Sequence, residues 1–194
     1  MSKLRKRHVA HSVRTCFLFT LSLYLSSFVC ETAARAADLC SGVLPETITQ
    51  ALAQNFADWT IQSPSNLSPS AAERWKSEKP AACPGLAQGH FEDGSTASYA
   101  VLIVHANNQG SAAKLLLFSG SSTDMKVLED AATGGKDLFI HAAFASRFFD
   151  RKSGDRFGVR APEAVLLFDA GPNEYETDIY FMTANGFRHE PVDH

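Results

Sequence analysis

The sequence predicts an α+β fold, in which an N-terminal amphipathic helix packs on a mainly antiparallel β-meander sheet and one disulfide closes a loop. Three observations support this prediction. Apolar residues recur every four positions between residues 44 and 56, as they do on one face of a helix. Short apolar runs separated by turn residues follow from residue 99 onward. Two cysteines, Cys40 and Cys83, remain once the first 36 residues are set aside.

Residues 1–36 have the three parts of a secretory signal peptide. Positions 1–14 are basic without an acidic residue, positions 16–29 are apolar, and Ala34-Arg35-Ala36 places small residues where cleavage is expected. An uncleaved membrane anchor is the alternative, but a span needs about 20 apolar residues. We therefore expect a signal peptide at 1–36, a single α+β domain at 37–194, and a periplasmic or secreted location.

The charge of the remaining chain narrows the classes of partner. The chain has 18 Lys and Arg against 21 Asp and Glu, and the predicted leader removes 6 and 1 of these. The exported part would therefore hold 12 against 20, a formal net charge of −8. Proteins that bind nucleic acids or anionic membranes usually have clustered positive charge. We expect an envelope or secreted protein as the partner, with no nucleic acid and no membrane contact after cleavage.

Cys40 and Cys83 are an even pair in a chain predicted to be exported, which favours a disulfide. Closing that loop would stabilise the fold by roughly 4 kcal/mol on the chain-entropy model. The alternative is a thiol nucleophile, which needs a base nearby to lower its pKa. Neither cysteine has a histidine in its immediate sequence.

Two helices are predicted before the sheet. The apolar stripe formed by Leu44, Ile48, Leu52 and Phe56 predicts a helix over residues 45–57, packed on the sheet. Residues 61–84 are rich in proline and serine, and Ser68 before Pro69 can cap a short helix that runs through residue 75.

Residues 83–105 predict a β-hairpin around which the sheet is organised. Asp93-Gly94 is a turn signal, because glycine adopts positive φ without a Cβ penalty. Residues 99–104 are apolar without alternation, as in a strand covered on both faces, and we expect this strand at the centre of the sheet. A buried helix is the competing interpretation of this run.

The later apolar runs predict further strands of the same sheet. Residues 113–118 and 125–128 continue a meander, although 112–118 also has the composition of a helix. Short strands are expected at 137–141 and 164–168, and Asn185-Gly186 predicts a final hairpin between 177–183 and 187–192. Along its first strand, Ile179 and Phe181 would face away from Tyr180.

The hairpin resembles the FG-GAP hairpin of integrin-type propellers, in which a Gly-Asp-Phe-Asp-Gly-Asp-Gly pattern binds calcium. Gly89, Phe91, Tyr99 and Ala100 match it in register, while the ligand positions hold His90, Glu92, Gly94 and Ser98. Calcium takes six to eight oxygen ligands. The resemblance therefore implies the hairpin but a degenerate calcium loop. The whole chain is similar to small exported bacterial proteins of unassigned activity.

No motif for catalysis, metal or cofactor is present, so no catalytic residue, metal ligand or cofactor is assigned. Five of the twelve basic residues of the exported part fall within residues 147–160. We interpret them as a contact patch for an acidic ligand or partner; they are Arg147, Arg151, Lys152, Arg156 and Arg160. The alternative is a solvated loop.

Two functions remain open. The first is an exported binding protein, such as an inhibitor or an immunity-type partner of an envelope protein. The second is a small envelope hydrolase whose catalytic groups come together only in the fold. A histidine and a carboxylate that share a concave pocket would favour the second.

Overall fold

The computed structural model describes residues 39–79, 81–106, 112–131, 134–149, 157–171 and 175–192. The predicted signal peptide, residues 1–36, lies outside them. Two short helices accompany a mainly antiparallel β structure: α1 (Glu46–Asn55) and α2 (Pro69–Glu78). The strands are β1 (Trp59–Ile61), β2 (Leu86–Gly89), β3 (Ser98–His105), β4 (Ala113–Ser119), β5 (Met125–Ala131), β6 (Leu138–Phe144), β7 (Glu163–Asp169), β8 (Glu176–Thr183) and β9 (Gly186–Pro191).

The strands form two sheets, so the prediction of a single sheet is wrong. The first sheet has the order β1-β3-β4-β5, with β2 also paired to β3. The second sheet has the order β6-β7-β8-β9. Each pairing is antiparallel, which confirms the predicted meander through β3, β4 and β5. The central strands are apolar on both faces, and stacking the two sheets covers the inner face of each.

Three apolar layers hold the described residues together. The inner faces of the two sheets meet in a central layer that includes Leu102 and Leu115 from the first sheet and Val165 and Leu167 from the second. Helix α1 covers the outer face of the first sheet. Helix α2 covers the outer face of the second sheet, where Trp75 lies in the same cluster as several phenylalanines.

Strand β3 lies at the centre of the first sheet, as predicted. It pairs with β1, β2 and β4 and is buried along most of its length. Strand β4 has the same character, with Leu115 and Leu117 facing the central layer and Leu116 and Phe118 facing α1. This alternation shows that the helical interpretation of residues 112–118 is wrong.

The β2–β3 hairpin is present, but its connection is longer than the predicted Asp93-Gly94 turn. Gly89 pairs with Ser98, so residues 90–97 form the loop. Gly94 has a φ of +79° within that loop. The loop is wide because Phe91 turns inward and becomes fully buried in the central layer.

Both predicted helices are present, with α1 ending two residues earlier than expected. Ile48, Ala51 and Leu52 are its buried residues. The hydroxyl of Ser68 caps α2 by accepting a hydrogen bond from the backbone N–H of Ala71, and it also bonds to Asp137. None of the helices within the described ranges is long and apolar enough to cross a membrane.

The predicted disulfide between Cys40 and Cys83 is present, with the two Cα atoms 4.9 Å apart. It ties the segment before α1 to the start of β2. The C-terminal hairpin is also confirmed, although its turn is Ala184-Asn185 because Thr183 pairs with Gly186. Ile179 and Phe181 face α2, whereas Tyr180 faces the central layer.

Candidate functional site

A cavity of about 450 Å³ opens where the β2–β3 loop meets the ends of β6 and β7. Polar and apolar groups line it together: Gln88, Gly89, His90, Ala97, Phe144, Pro162 and Glu163. They come from three separate parts of the chain, so the cavity exists only in the folded protein.

Backbone pairing between β6 and β7 places two residues of the cavity side by side. Phe144, the last residue of β6, is directly opposite Glu163, the first residue of β7. Beyond that pair, the N–H of Ala145 donates to the carbonyl of Pro162 at 2.9 Å. This bond holds together the two ends of the segment between β6 and β7.

His90 and Glu163 form a hydrogen-bonded pair at the cavity. The backbone N–H of His90 donates to Oε2 of Glu163 at 2.7 Å, and its Nδ1 lies 3.1 Å from the same oxygen. The side chain of His90 is 45% exposed and that of Glu163 is 20% exposed. The carboxylate is therefore anchored by the backbone, and it orients an imidazole that solvent can reach.

Glycine at position 89 makes this arrangement possible. A Cβ on Gly89 would lie 2.8 Å from the ring of Phe91 and 3.1 Å from Oε2 of Glu163. Both distances are shorter than ordinary van der Waals contact. The absent side chain lets the buried Phe91 pass beneath the loop while Glu163 reaches the backbone of His90.

Phe144 gives the cavity an exposed apolar wall. Of its surface, 61% is exposed to solvent, more than for Val127 and Val43, which are the other exposed large apolar residues in the described ranges. Single exposed apolar residues are common on protein surfaces, but an aromatic ring beside a cavity is placed to make a contact, and aromatic residues are enriched at protein–protein contacts.

Of the predicted basic patch, the structure describes Arg147 and Arg160, and both are exposed. Arg151, Lys152 and Arg156 lie outside the described residues. Arg147 follows Phe144 by three positions, and Arg160 precedes Pro162 by two. The ends of the basic segment therefore adjoin the cavity.

The β2–β3 loop holds its two carboxylates in hydrogen bonds with other residues. Glu92 accepts hydrogen bonds from Lys126 at 2.5 Å and from Ser98 at 3.3 Å. Burial alone would raise the pKa of Glu92, but hydrogen bonds from Lys126, Ser119 and Ser98 lower it. Asp93 accepts from the backbone N–H of Ser95 at 2.9 Å. Across the described ranges, no three His, Cys, Asp or Glu side chains are grouped to hold a metal ion.

A second cavity, of about 300 Å³, lies beside the end of β1 and is lined by residues including Gln62, His105 and Lys136. The side chain of Gln62 is fully buried, and its Nε2 donates to the carbonyls of Gly135 and Leu138 at 2.8 and 2.9 Å. Its Oε1 is sealed from solvent and has no partner. This amide joins the first sheet to the loop before β6.

The remaining histidines within the described ranges pack against aromatic rings. His105 lies 5.3 Å from the ring of Trp59, and His189 lies 5.6 Å from the ring of Tyr180. His141 lies 4.7 Å from the ring of Phe168. Burial, together with the positive charges of Lys79 and Arg147, lowers the pKa of His141 to about 4.

Sequence reasoning did not find the His90–Glu163 pair. The two residues are 73 positions apart, and nothing near Glu163 marks it as different from any other residue at the start of a strand. Phe144 was also missed, because an aromatic residue at the end of an apolar run is usually buried.

Comparisons of this chain with protein-family models, curated proteins and solved structures found no match.

Proposed function

We propose that the chain is an exported, single-domain binding protein that recognises an acidic envelope or secreted protein, in the manner of an inhibitor or an immunity-type partner. The exposed ring of Phe144 at the edge of the His90–Glu163 cavity is the observation that carries this proposal. Aromatic residues, phenylalanine among them, are enriched at the centre of protein–protein contacts.

Charge supports an acidic partner. Arg147 and Arg160 are exposed at the two ends of the segment that adjoins the cavity, in a chain that is otherwise acidic. Complementary charges around an apolar contact increase the association rate, and the attraction between them weakens as salt is added. The predicted contact surface therefore combines Phe144 at its centre with arginines beside it.

Export is part of the same proposal and rests on the leader-like residues 1–36. The Cys40–Cys83 disulfide suits an oxidising compartment such as the periplasm or the cell exterior. Mass spectrometry of the protein from its producing cell should find a mature start near Ala37 or Asp38. Exported material that retains Met1 would contradict cleavage.

Binding is tested by quantitative capture of envelope proteins with purified wild-type protein and matched variants. Phe144→Ala and Arg147→Glu should each abolish or strongly weaken the capture of the same partner, and the wild-type complex should dissociate as salt increases. Val127→Ala and Arg188→Glu are the controls, since both residues are exposed on strands remote in sequence from the cavity. Equal capture by all five proteins would refute the proposed surface.

A small hydrolase is the second candidate, because a histidine and a carboxylate share this cavity. A histidine oriented by a carboxylate can act as a general base on a water molecule. The residues that line the cavity include no serine, threonine or cysteine nucleophile. A hydrolytic activity that co-purifies with the wild type and is lost in both His90→Ala and Glu163→Gln would establish this candidate.

A further inference from the structure

We infer that the cavity accepts a tyrosine side chain of the partner, with the phenol hydroxyl donating a hydrogen bond to Nε2 of His90 and the ring packed on Phe144. This inference rests on the proposed binding function and specifies the chemistry of the group that enters the cavity.

The contact with Glu163 determines which nitrogen of His90 can accept a hydrogen bond. Oε2 of Glu163 accepts from the backbone N–H of His90 and lies 3.1 Å from Nδ1. An ionised carboxylate only accepts, so Nδ1 must carry the hydrogen in this contact. In the neutral imidazole the other nitrogen, Nε2, is then an acceptor.

That acceptor lies on the side of the ring turned away from Glu163. The Nδ1 edge of the ring faces Glu163, whereas 45% of the His90 side-chain surface is exposed. Because His90 lines the cavity, a group that enters the cavity can reach the Nε2 edge. The site therefore requires a hydrogen-bond donor from its ligand.

Phe144 indicates which group of the ligand would carry the hydrogen-bond donor. Its exposed ring faces the same cavity, and aromatic rings pair favourably with one another in edge-on or offset geometry. A phenol combines a flat apolar ring with one donor at its end, and the cavity of about 450 Å³ has room for it. Phenylalanine would satisfy the ring but leave Nε2 without a donor, and serine would do the reverse.

Two small probes test this inference without knowledge of the partner. N-acetyl-tyrosinamide and N-acetyl-phenylalaninamide are titrated into ¹⁵N-labelled protein at mildly alkaline pH, with the imidazole nitrogens of His90 observed by NMR. We expect the Nδ1–H tautomer in the free protein and a shift of the Nε2 signal with the tyrosine probe. One hydrogen bond should make that probe bind about tenfold more tightly than the phenylalanine probe.

Variants show whether the pair and the ring are responsible. Glu163→Ala removes the oxygen to which Nδ1–H and the backbone N–H of His90 both donate, so the ring hydrogen can move to Nε2 and the preference for the tyrosine probe should fall. Glu163→Gln is the matched variant and should keep the preference, because its amide oxygen can accept both hydrogen bonds. Phe144→Ala should weaken both probes equally. His189→Asn is the control. It should change neither affinity, because His189 lies on β9 against the ring of Tyr180 and does not line the cavity.

Equal affinity for the two probes, or an Nε2–H tautomer in the free wild type, would overturn the inference. Probe binding and partner capture together distinguish the tyrosine pocket from the proposed binding function. Partner capture that depends on Phe144 together with equal probe affinities would refute the tyrosine pocket alone. A clear tyrosine preference without any Phe144-dependent partner would instead refute the protein-binding function.

Discussion

The hydroxyl of Tyr180 in the second sheet donates a hydrogen bond to Oε2 of Glu129 in the first sheet, at 3.0 Å. Tyr180 is almost fully buried, so this bond crosses the central layer from β8 to β5. Burial and the adjacent Glu129 carboxylate raise the pKa of Tyr180, which keeps its hydroxyl protonated as a donor. The bond therefore adds a polar link inside the apolar layer between the two sheets.

Tyr180→Phe should lower the free energy of unfolding by about 1–2 kcal/mol, because Glu129 loses its donor while the ring packing is retained. Urea unfolding of Tyr180→Phe, Glu129→Ala and the double variant measures the coupling between the two residues. A double variant whose loss equals the sum of the single losses would show that the bond contributes nothing.

His141 should make the protein less stable in acid. Its pKa is about 4 in the folded protein and about 6.5 when unfolded, so the unfolded state binds the proton first as the pH falls. The stability that depends on the neutral ring is therefore fully present above pH 6.5 and is lost as the pH falls toward 4. The loss in unfolding free energy should be on the order of 2 kcal/mol, since partial exposure of the ring reduces the effect.

The carboxylates also titrate in this range, so a variant is needed to isolate His141. His141→Leu retains an apolar contact with Phe168 and removes the titrating ring. As the pH falls from 6.5 toward 4, the urea midpoint of the wild type should fall relative to that of His141→Leu, whichever protein is the more stable at neutral pH. Parallel profiles would mean that His141 titrates normally in the folded state.

Gly85 should tolerate no side chain. A Cβ at this position would lie 2.5 Å from the carbonyl oxygen and 2.8 Å from the nitrogen of Gln62, which are backbone atoms that cannot move aside. Gly85→Ala should therefore cost at least about 3 kcal/mol of unfolding free energy. Gly89→Ala is the comparison, since its new Cβ meets mainly the ring of Phe91. A smaller loss for Gly85→Ala than for Gly89→Ala in thermal unfolding would contradict the argument.

The disulfide should contribute roughly 4 kcal/mol, because Cys40 and Cys83 are separated by 43 positions and the closed loop restricts the unfolded chain. The double variant Cys40→Ala, Cys83→Ala should unfold at correspondingly lower urea concentration. A free-thiol assay on the unfolded, unreduced wild type should find none at these two positions. Two titrating thiols would show that the bond is absent from the protein as produced.

The loop at residues 90–97 should fold without calcium. Its carboxylates already have partners, since Glu92 is bonded to Lys126 and Ser98 and Asp93 to Ser95. Little repulsion between carboxylates remains for a cation to relieve. Thermal unfolding in excess EDTA and in millimolar calcium should give superimposable curves. A calcium-dependent rise of several degrees would establish Glu92 and Asp93 as ligands.

The sequence predicted those elements of the fold that depend on residues close together in the chain. The helix around Ile48 and the meander through β4 follow from a local pattern of apolar residues, and the cap at Ser68 follows from a local hydrogen-bond acceptor. The division of the strands between two sheets could not be predicted in this way, because it depends on residues far apart in the sequence. β3 and β7 are both apolar on both faces, and this pattern is the same whether the cover is a helix or a second sheet.

The candidate site was less accessible to sequence reasoning than the fold. His90 was noted only as a departure from a calcium pattern, and Glu163 and Phe144 are brought to it by pairing between β6 and β7. Their proximity depends on how the two sheets stack, which no residue near them encodes. The basic segment was recognised because composition is a local property.

Helix α2 lies between β1 and β2 in the chain, yet it packs on the far sheet, which is built entirely from residues after 137. Each sheet alone comes from one continuous half of the sequence, and local hairpins of that kind form quickly. The helix makes the halves interdependent, because Trp75 completes a core whose strands are synthesised later. A chain cut between β5 and β6 should therefore yield two fragments that remain insoluble apart and recover the native fold only when mixed.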